Sequence, residues 1–137
     1  MNKTAFNELH KKAGGKLVEF AGFEMPIEYS GIKDEHLTVR KSVGVFDVSH
    51  MGSFRISGDS VKQWLESIAT QKVTSIGATR CAYTHFLDDD GHLIDDMIFA
   101  VVSESEILGV PNASMIEVMW DWFSSKLPDD GSITLQN

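Results

Sequence analysis

The chain has 137 residues, 12 Lys and Arg against 20 Asp and Glu, and a formal net charge of −8. That length is room for one ordinary domain, or one domain and a piece of another, at roughly 100–200 residues per domain. With 42% hydrophobic and 23% charged residues the chain is set to bury a core and not to stay disordered, and its acidic balance excludes nucleic acid as a partner, since neutralising phosphates takes clustered Lys and Arg.

In chain order, a helix is expected from about Thr4 to Ala13, with Phe6, Leu9 and Ala13 on one face and Gly14-Gly15 ending it. Lys11, Lys12 and Lys16 then read as a solvated helix end. KLVEFAGFEMPIEY predicts a strand, a turn and an irregular extended stretch broken at Gly22 and Pro26, and a second helix should cover about Lys33 to Lys41. Val43 to Val48 is a short apolar run leading into Ser49-His50-Met51-Gly52.

Past residue 51 the pattern is more regular. Ser53 to Ser57 alternates as a strand, and Gly58-Asp59-Ser60 is expected to cap a helix whose Val61, Trp64, Leu65 and Ile68 follow the helical repeat. CAYTHFL and HLIDDMIFAVV flank the acidic turn Asp88-Asp89-Asp90-Gly91 and predict a hairpin. A strand at Glu106 to Val110 leads through Pro111-Asn112 into a helix at about Ala113 to Lys126, and a final strand is expected at Ser132 to Leu135. Strand, helix, two or three antiparallel strands, helix, strand is the order of an α+β, ferredoxin-like split βαβ unit over about 51–137. The first 50 residues read as part of a second α+β domain.

Some candidate sites fall away on spacing. One cysteine, Cys81, makes no internal disulfide and no zinc pattern, and is expected as a small buried apolar side chain. An EF-hand register on DDDG would put Phe86 and Met97 at its first and last ligand positions, so calcium is not expected and no metal site is assigned. Asp47, Ser49 and His50 are too close in sequence for a hydrolytic triad and have no G-x-S-x-G elbow; Asp47 and His50 are expected to hold a tight turn. No apolar run approaches the ~18 residues of a membrane helix, and the N-terminus has no signal-peptide core, so a cytoplasmic protein without membrane contact is expected.

Asp95 and Asp96 are different, because they interrupt an apolar strand. Successive strand residues face opposite sides, so one carboxylate should point outward and the other toward the packed side or a cleft. A carboxylate among Ile94, Met97 and Ile98 must be hydrogen-bonded, and can then act as a base or accept a ligand's N–H groups. Asn112 is first an N-cap candidate for the following helix, and a polar residue at such a junction can also reach a ligand. Trp64 and Tyr83 are core aromatics by default, with Tyr83 able to turn its face and hydroxyl toward a site.

VRKSVGVFDVSHMG at Val39 to Gly52, with FAGFEMP at Phe20 to Pro26, AYTHF around Tyr83, GHLIDDMI at Gly91 to Ile98 and V-P-N-A at Val110 to Ala113, resembles the aminomethyltransferase family, the T-protein of the glycine cleavage system. The resemblance covers essentially the whole chain. It implies transfer of a one-carbon unit from the aminomethyl-dihydrolipoyl arm of the H-protein to tetrahydrofolate, with release of ammonia and formation of 5,10-methylenetetrahydrofolate and without a metal. It implies that Asp96 is the catalytic carboxylate, that Met51, Tyr83 and Asn112 line the folate site, and that Asp95 is the structural member of the pair. Phe23 stands where tryptophan is usual, His92 replaces a glycine, and Pro111 removes a backbone N–H beside Asn112.

Family members are well over twice this long, so the resemblance further implies an inactive N-terminal portion whose C-terminal domains are absent, with residues 1–50 an incomplete piece of the first domain and 51–137 the folate-site unit. Two other functions remain open from the sequence. One is a folate-binding or iron-sulfur-assembly relative, usually marked by a later K-G-C-Y-x-G-Q-E motif. The other is a related one-carbon transferase acting on dimethylglycine, sarcosine or a sulfonium donor.

Overall fold

Phe20-Ala21-Gly22-Phe23 settles the first turn, because a two-residue hairpin loop whose twist suits its strands needs positive φ at both central positions. In the computed structural model, which describes residues 1–137, Ala21 and Gly22 have φ of 49° and 82°. They join β1 (Lys16–Phe20) to β2 (Phe23–Glu28) as an antiparallel pair. The stretch expected to be irregular is therefore a strand. Its sheet has two strands only, so each is an edge, where a proline such as Pro26 is tolerated.

The chain divides into two units, Met1–His50 and Met51–Asn137. In the first, α1 (Asn7–Lys12) precedes the hairpin and α2 (Ile32–Lys41) follows it. The Glu35 carboxylate accepts the N–H groups of Tyr29, Ser30 and Gly31, which satisfies donors at the start of α2. Contrary to the sequence expectation, α1 buries Asn7 and His10 and leaves Phe6 and Leu9 48% and 56% exposed. Polar contacts choose that face. Thr4 Oγ1 and His10 Nε2 donate to Asp47 Oδ2 at 2.7 and 2.8 Å, the Ser49 N–H donates to Asp47 Oδ1 at 2.9 Å, and the Tyr29 hydroxyl lies 2.6 Å from His10 Nδ1.

Burial pushes the Asp47 carboxyl up, but the bonds from His10, Ser49 and Thr4 outweigh it and hold the group well below the usual carboxylate range. Because the folded-state value is the depressed one, this stabilisation is complete above the unfolded-state value of about 3.9 and is lost as pH falls below it. Acid is therefore expected to erode the stability of this unit progressively below about pH 4, measured as a falling unfolding free energy in urea titrations at a series of pH values. Asp47→Ala should cost about 1.5–3 kcal/mol and remove that acid step. A parent stability that falls with acid no more steeply than that of Asp47→Ala would contradict the assignment.

The second unit contains β3 (Phe54–Ser57), α3 (Val61–Ile68), β4 (Arg80–Leu87), β5 (Leu93–Ser103), β6 (Glu106–Pro111), α4 (Ile116–Lys126) and β7 (Thr134–Gln136). Its strands form one antiparallel sheet in the order β4-β5-β6-β3-β7. The connection β6-α4-β7 spans β3 as a split βαβ, and β4, β5 and β6 form a three-stranded meander. The α+β, ferredoxin-like expectation holds. Between β4 and β5, the Asp88 carboxylate accepts the N–H groups of Asp90 and His92 at 3.0 and 2.8 Å, the polar hairpin tip read from DDDG.

Alternation along the strands builds the core. Phe54, Ile56, Phe86, Met97, Phe99, Val101 and Ile107 point to one face and are buried with Val61 and Leu65 of α3 and Met119 and Phe123 of α4. The Phe123 ring is the hub, with centroids 5.1, 5.8 and 6.0 Å from Phe86, Trp64 and Phe54. Trp64 is a core aromatic as expected, and its indole N–H donates to the Lys126 carbonyl at 2.8 Å, tying α3 to the end of α4. Cys81 is a correction: it is exposed, not buried. Strand phase overrides residue preference there, because Ala82, Thr84 and Phe86 take the inner face of β4 and leave 81, 83 and 85 outside.

Candidate functional site

Asp95 and Asp96 are consecutive in β5 and leave the strand on opposite sides. Asp95 points inward, 7% exposed, opposite Phe86 of β4; Asp96 points outward opposite His85 and is half-buried. The outer face beside Asp96 is a cross-strand row of Tyr83, Ile98 and Val110, contributed by β4, β5 and β6. These side chains are 50%, 52% and 37% exposed, so they form an open apolar plate.

Tyr83 does not enter the core. Its hydroxyl donates to Asp96 Oδ2 across the strand pair, and its ring meets His85 edge-on at 5.4 Å. The hydrogen bond to Asp96, loss of solvent and the negative charges of Asp96 and Asp95 all raise the phenol above its ordinary value. Tyr83 therefore stays a protonated donor across the neutral range.

Asn112 arrives from the other side. Pro111 is the last residue of β6 and pairs with Met97, which delivers the next residue to the Asp95-Asp96 pair. Asn112 Nδ2 donates to Asp95 Oδ1 at 2.9 Å and to the Asp96 carbonyl at 3.1 Å, with Asp96 Oδ1 at 3.5 Å. The capping role read for this residue is corrected: its side chain caps no helix, and its carbonyl instead accepts the Met115 N–H at 2.9 Å in the turn ahead of α4. The Asp95 carboxylate takes the amide nitrogen in a charge-assisted hydrogen bond, which turns the side chain toward the strand pair.

Pro111 leaves this geometry intact. What it lacks as a donor it supplies as an acceptor, its carbonyl taking the Gly52 N–H at 3.0 Å. Sequence reasoning passed over Gly52. A Cβ there would stand 2.6 Å from Pro111 Cγ and 3.0 Å from Ile116 Cγ1, so the approach needs glycine. The bond brings the preceding residue, Met51, to the end of β6, where Asn112 begins. The glycine closing FDVSHMG was the available signal.

Asp96, Tyr83 and Asn112 thus converge, and Met51 is tethered to the strand end that carries Asn112. Asp47, Ser49 and His50 do not form a catalytic group. Asp47 pairs with His10, while the His50 ring lies edge-on to Phe20 and Phe23 at 5.6 and 6.2 Å with its Nδ1 buried and unpartnered. The first unit also holds a groove of about 610 Å³ lined by Met25, Tyr29, Val39 and Phe46 among others, and none of the four predicted site residues lines it. No group of three or more His, Cys, Asp or Glu is arranged to hold a metal ion, and no helix is long and apolar enough to cross a membrane.

The family model described as the GCVT N-terminal domain matches residues 6–137. The chain belongs to this family. The aminomethyltransferase of Chloroherpeton thalassium is 40% identical over 137 residues, which is 100% of this chain and 38% of the relative. That of Bacteroides fragilis is 45% identical over 122 residues, 89% of this chain and 34% of the relative. The crystal structure of glycine cleavage system aminomethyltransferase T from Bartonella henselae matches with a TM-score of 0.86 at 24% identity, over 98% of this chain and 37% of that one, a likeness of fold. The chain therefore spans under two-fifths of the length of these GCVT relatives. Membership in the T-protein family, expected from FDVSHMG and GHLIDDMI, is borne out.

Proposed function

We propose that this chain is the N-terminal, folate-site part of a tetrahydrofolate-dependent aminomethyltransferase of the glycine cleavage system, with residues 1–50 an incomplete piece of the first domain and 51–137 the unit that carries the folate residues. The reaction takes the one-carbon unit from the aminomethyl-dihydrolipoyl arm of the H-protein, releases ammonia and yields 5,10-methylenetetrahydrofolate. The observation that carries this reading is the convergence of Asp96, Tyr83 and Asn112 beside the open row of Tyr83, Ile98 and Val110.

Those residues fit a flat reduced pterin. The apolar row offers a surface for stacking, and the polar edge offers the Asp96 carboxylate as an acceptor for N–H groups. Tetrahydrofolate supplies the two nitrogens that take up the carbon and give up their protons. Asp96 is assigned to receive or orient such a proton, work that a fixed and partly desolvated carboxylate performs by general-base and electrostatic catalysis. Tyr83 holds one Asp96 oxygen through its hydroxyl and leaves the other for the ligand. Met51 is assigned to packing against the folate, and Asn112 to hydrogen bonding with it.

The partners in this reading are the lipoyl-bearing H-protein and the remaining length that the relatives have, in a cytoplasmic protein acting without nucleic acid or membrane. Val43, Val45, Phe46 and Val48, 74%, 98%, 70% and 62% exposed, are the apolar side chains that such further chain would cover. To test the reading, residues 1–137 are joined in frame to the C-terminal part of the Chloroherpeton thalassium relative. Methylene-folate and ammonia are then measured with aminomethylated H-protein, dimethylglycine or sarcosine as donor. Turnover with the H-protein donor alone is expected, and weak or no turnover from the 137 residues by themselves. Preference for dimethylglycine or sarcosine, or tetrahydrofolate binding without any turnover, would overturn it.

A further inference from the structure

Asp95 is an expensive residue for this fold to bury. It is 7% exposed on the face shared with Phe86 and Met97, and its Oδ2 is buried without a partner. A carboxylate in such surroundings is retained at a cost to stability unless it is used. Its one bond to another side chain is Oδ1 to Asn112 Nδ2 at 2.9 Å. An asparagine amide has two ends of nearly equal shape, and its neighbours decide which end turns which way. Around Nδ2 stand three acceptors: Asp95 Oδ1, the Asp96 carbonyl at 3.1 Å and Asp96 Oδ1 at 3.5 Å. A flipped amide would set its oxygen against all three. Asn112 Oδ1, by contrast, makes no hydrogen bond within the chain.

We propose that Asp95 is a positioning residue that locks the Asn112 amide with its nitrogen inward, so that Asn112 faces the ligand as an acceptor. The site then presents acceptors from both Asp96 and Asn112 and selects a ligand edge carrying neighbouring N–H donors. A ligand edge of carbonyl oxygens meets no donor from Asn112. The folate reading above supplies the identity of that ligand; the locking of the amide is a property of the chain without it.

The test uses the 137-residue chain without ligand and reads the side-chain amide protons of Asn112 by NMR, with the exposed Asn137 as internal reference. Exchange of the Asn112 protons is expected to be about tenfold or more slower than for Asn137, the protection that a hydrogen bond to a charged group confers. In Asp95→Leu, which removes the acceptor at similar volume, it should rise severalfold toward the Asn137 rate, while the backbone amides of Met97 and Phe99 in β5 stay protected and show that the sheet is intact. Should that variant fail to fold, the unmodified chain answers alone: a scalar coupling across the hydrogen bond must link the Asn112 side-chain nitrogen to the Asp95 carboxyl carbon. Asn112 exchanging like Asn137 in the unmodified chain, exchange unchanged by Asp95→Leu in a folded sheet, or the absence of that coupling would overturn the proposal. With no folate in the tube, failure of the folate reading leaves this result standing.

Discussion

Asp96→Asn, placed in the chain completed to its relatives' length, is expected to lower turnover of tetrahydrofolate with aminomethylated H-protein by about 10²- to 10⁴-fold, the usual worth of a positioned proton acceptor. The amide keeps an oxygen for the Tyr83 hydroxyl and the same shape, so the apolar plate of Tyr83, Ile98 and Val110 is undisturbed and folate affinity should change far less than the rate. That split matters. An interaction made only in the transition state lowers kcat and kcat/KM together, whereas loss of simple binding raises KM at constant kcat. Equal turnover of variant and parent would remove Asp96 from the chemistry and leave it a binding residue.

The second large effect concerns the core. Phe123→Ala is expected to destabilise the Met51–Asn137 unit by about 3–5 kcal/mol. The ring is fully buried and touches Phe54, Trp64, Phe86 and Trp122 from both helices and two strands. No neighbour can collapse into the space without leaving its own contacts, which is the condition for the upper part of that range. Against a typical domain stability of about 5–15 kcal/mol the loss is severe. Urea unfolding followed by tryptophan fluorescence measures it, since Trp64, Trp120 and Trp122 all lie in this unit. A cost below about 1 kcal/mol would mean the site relaxes as a surface position does.

Much of the site was legible because β-strands have a rigid period. IDD inside an apolar strand had to send one carboxylate in and one out, and the neighbours of Asp96 on the outer face follow from the same count. The same count explains the misreading of Cys81. Residue preference favours a buried thiol, but the phase of β4 is set by Thr84 and Phe86 and sends position 81 outward. Helices offer less certainty where polar partners compete. On α1 the apolar stripe of Phe6 and Leu9 pointed to one face, and Asp47, 37 residues beyond His10, drew the helix onto the other.

By itself, then, the order of strands and helices past residue 51, the opposition of Asp95 and Asp96, and the family were determined by local pattern and motif, signals that short stretches of chain carry without reference to their neighbours. Only the tertiary structure decided that Asn112 bonds the two aspartates instead of capping α4, that Gly52 joins Pro111, and that Tyr83 faces Asp96. Each of these depends on the register of one strand against another or on a contact remote in sequence, which no short stretch of chain specifies and which is fixed when the inner face packs around Phe123. The chain that began as a count of acidic residues resolves into one buried carboxylate that positions and one outward carboxylate assigned to act.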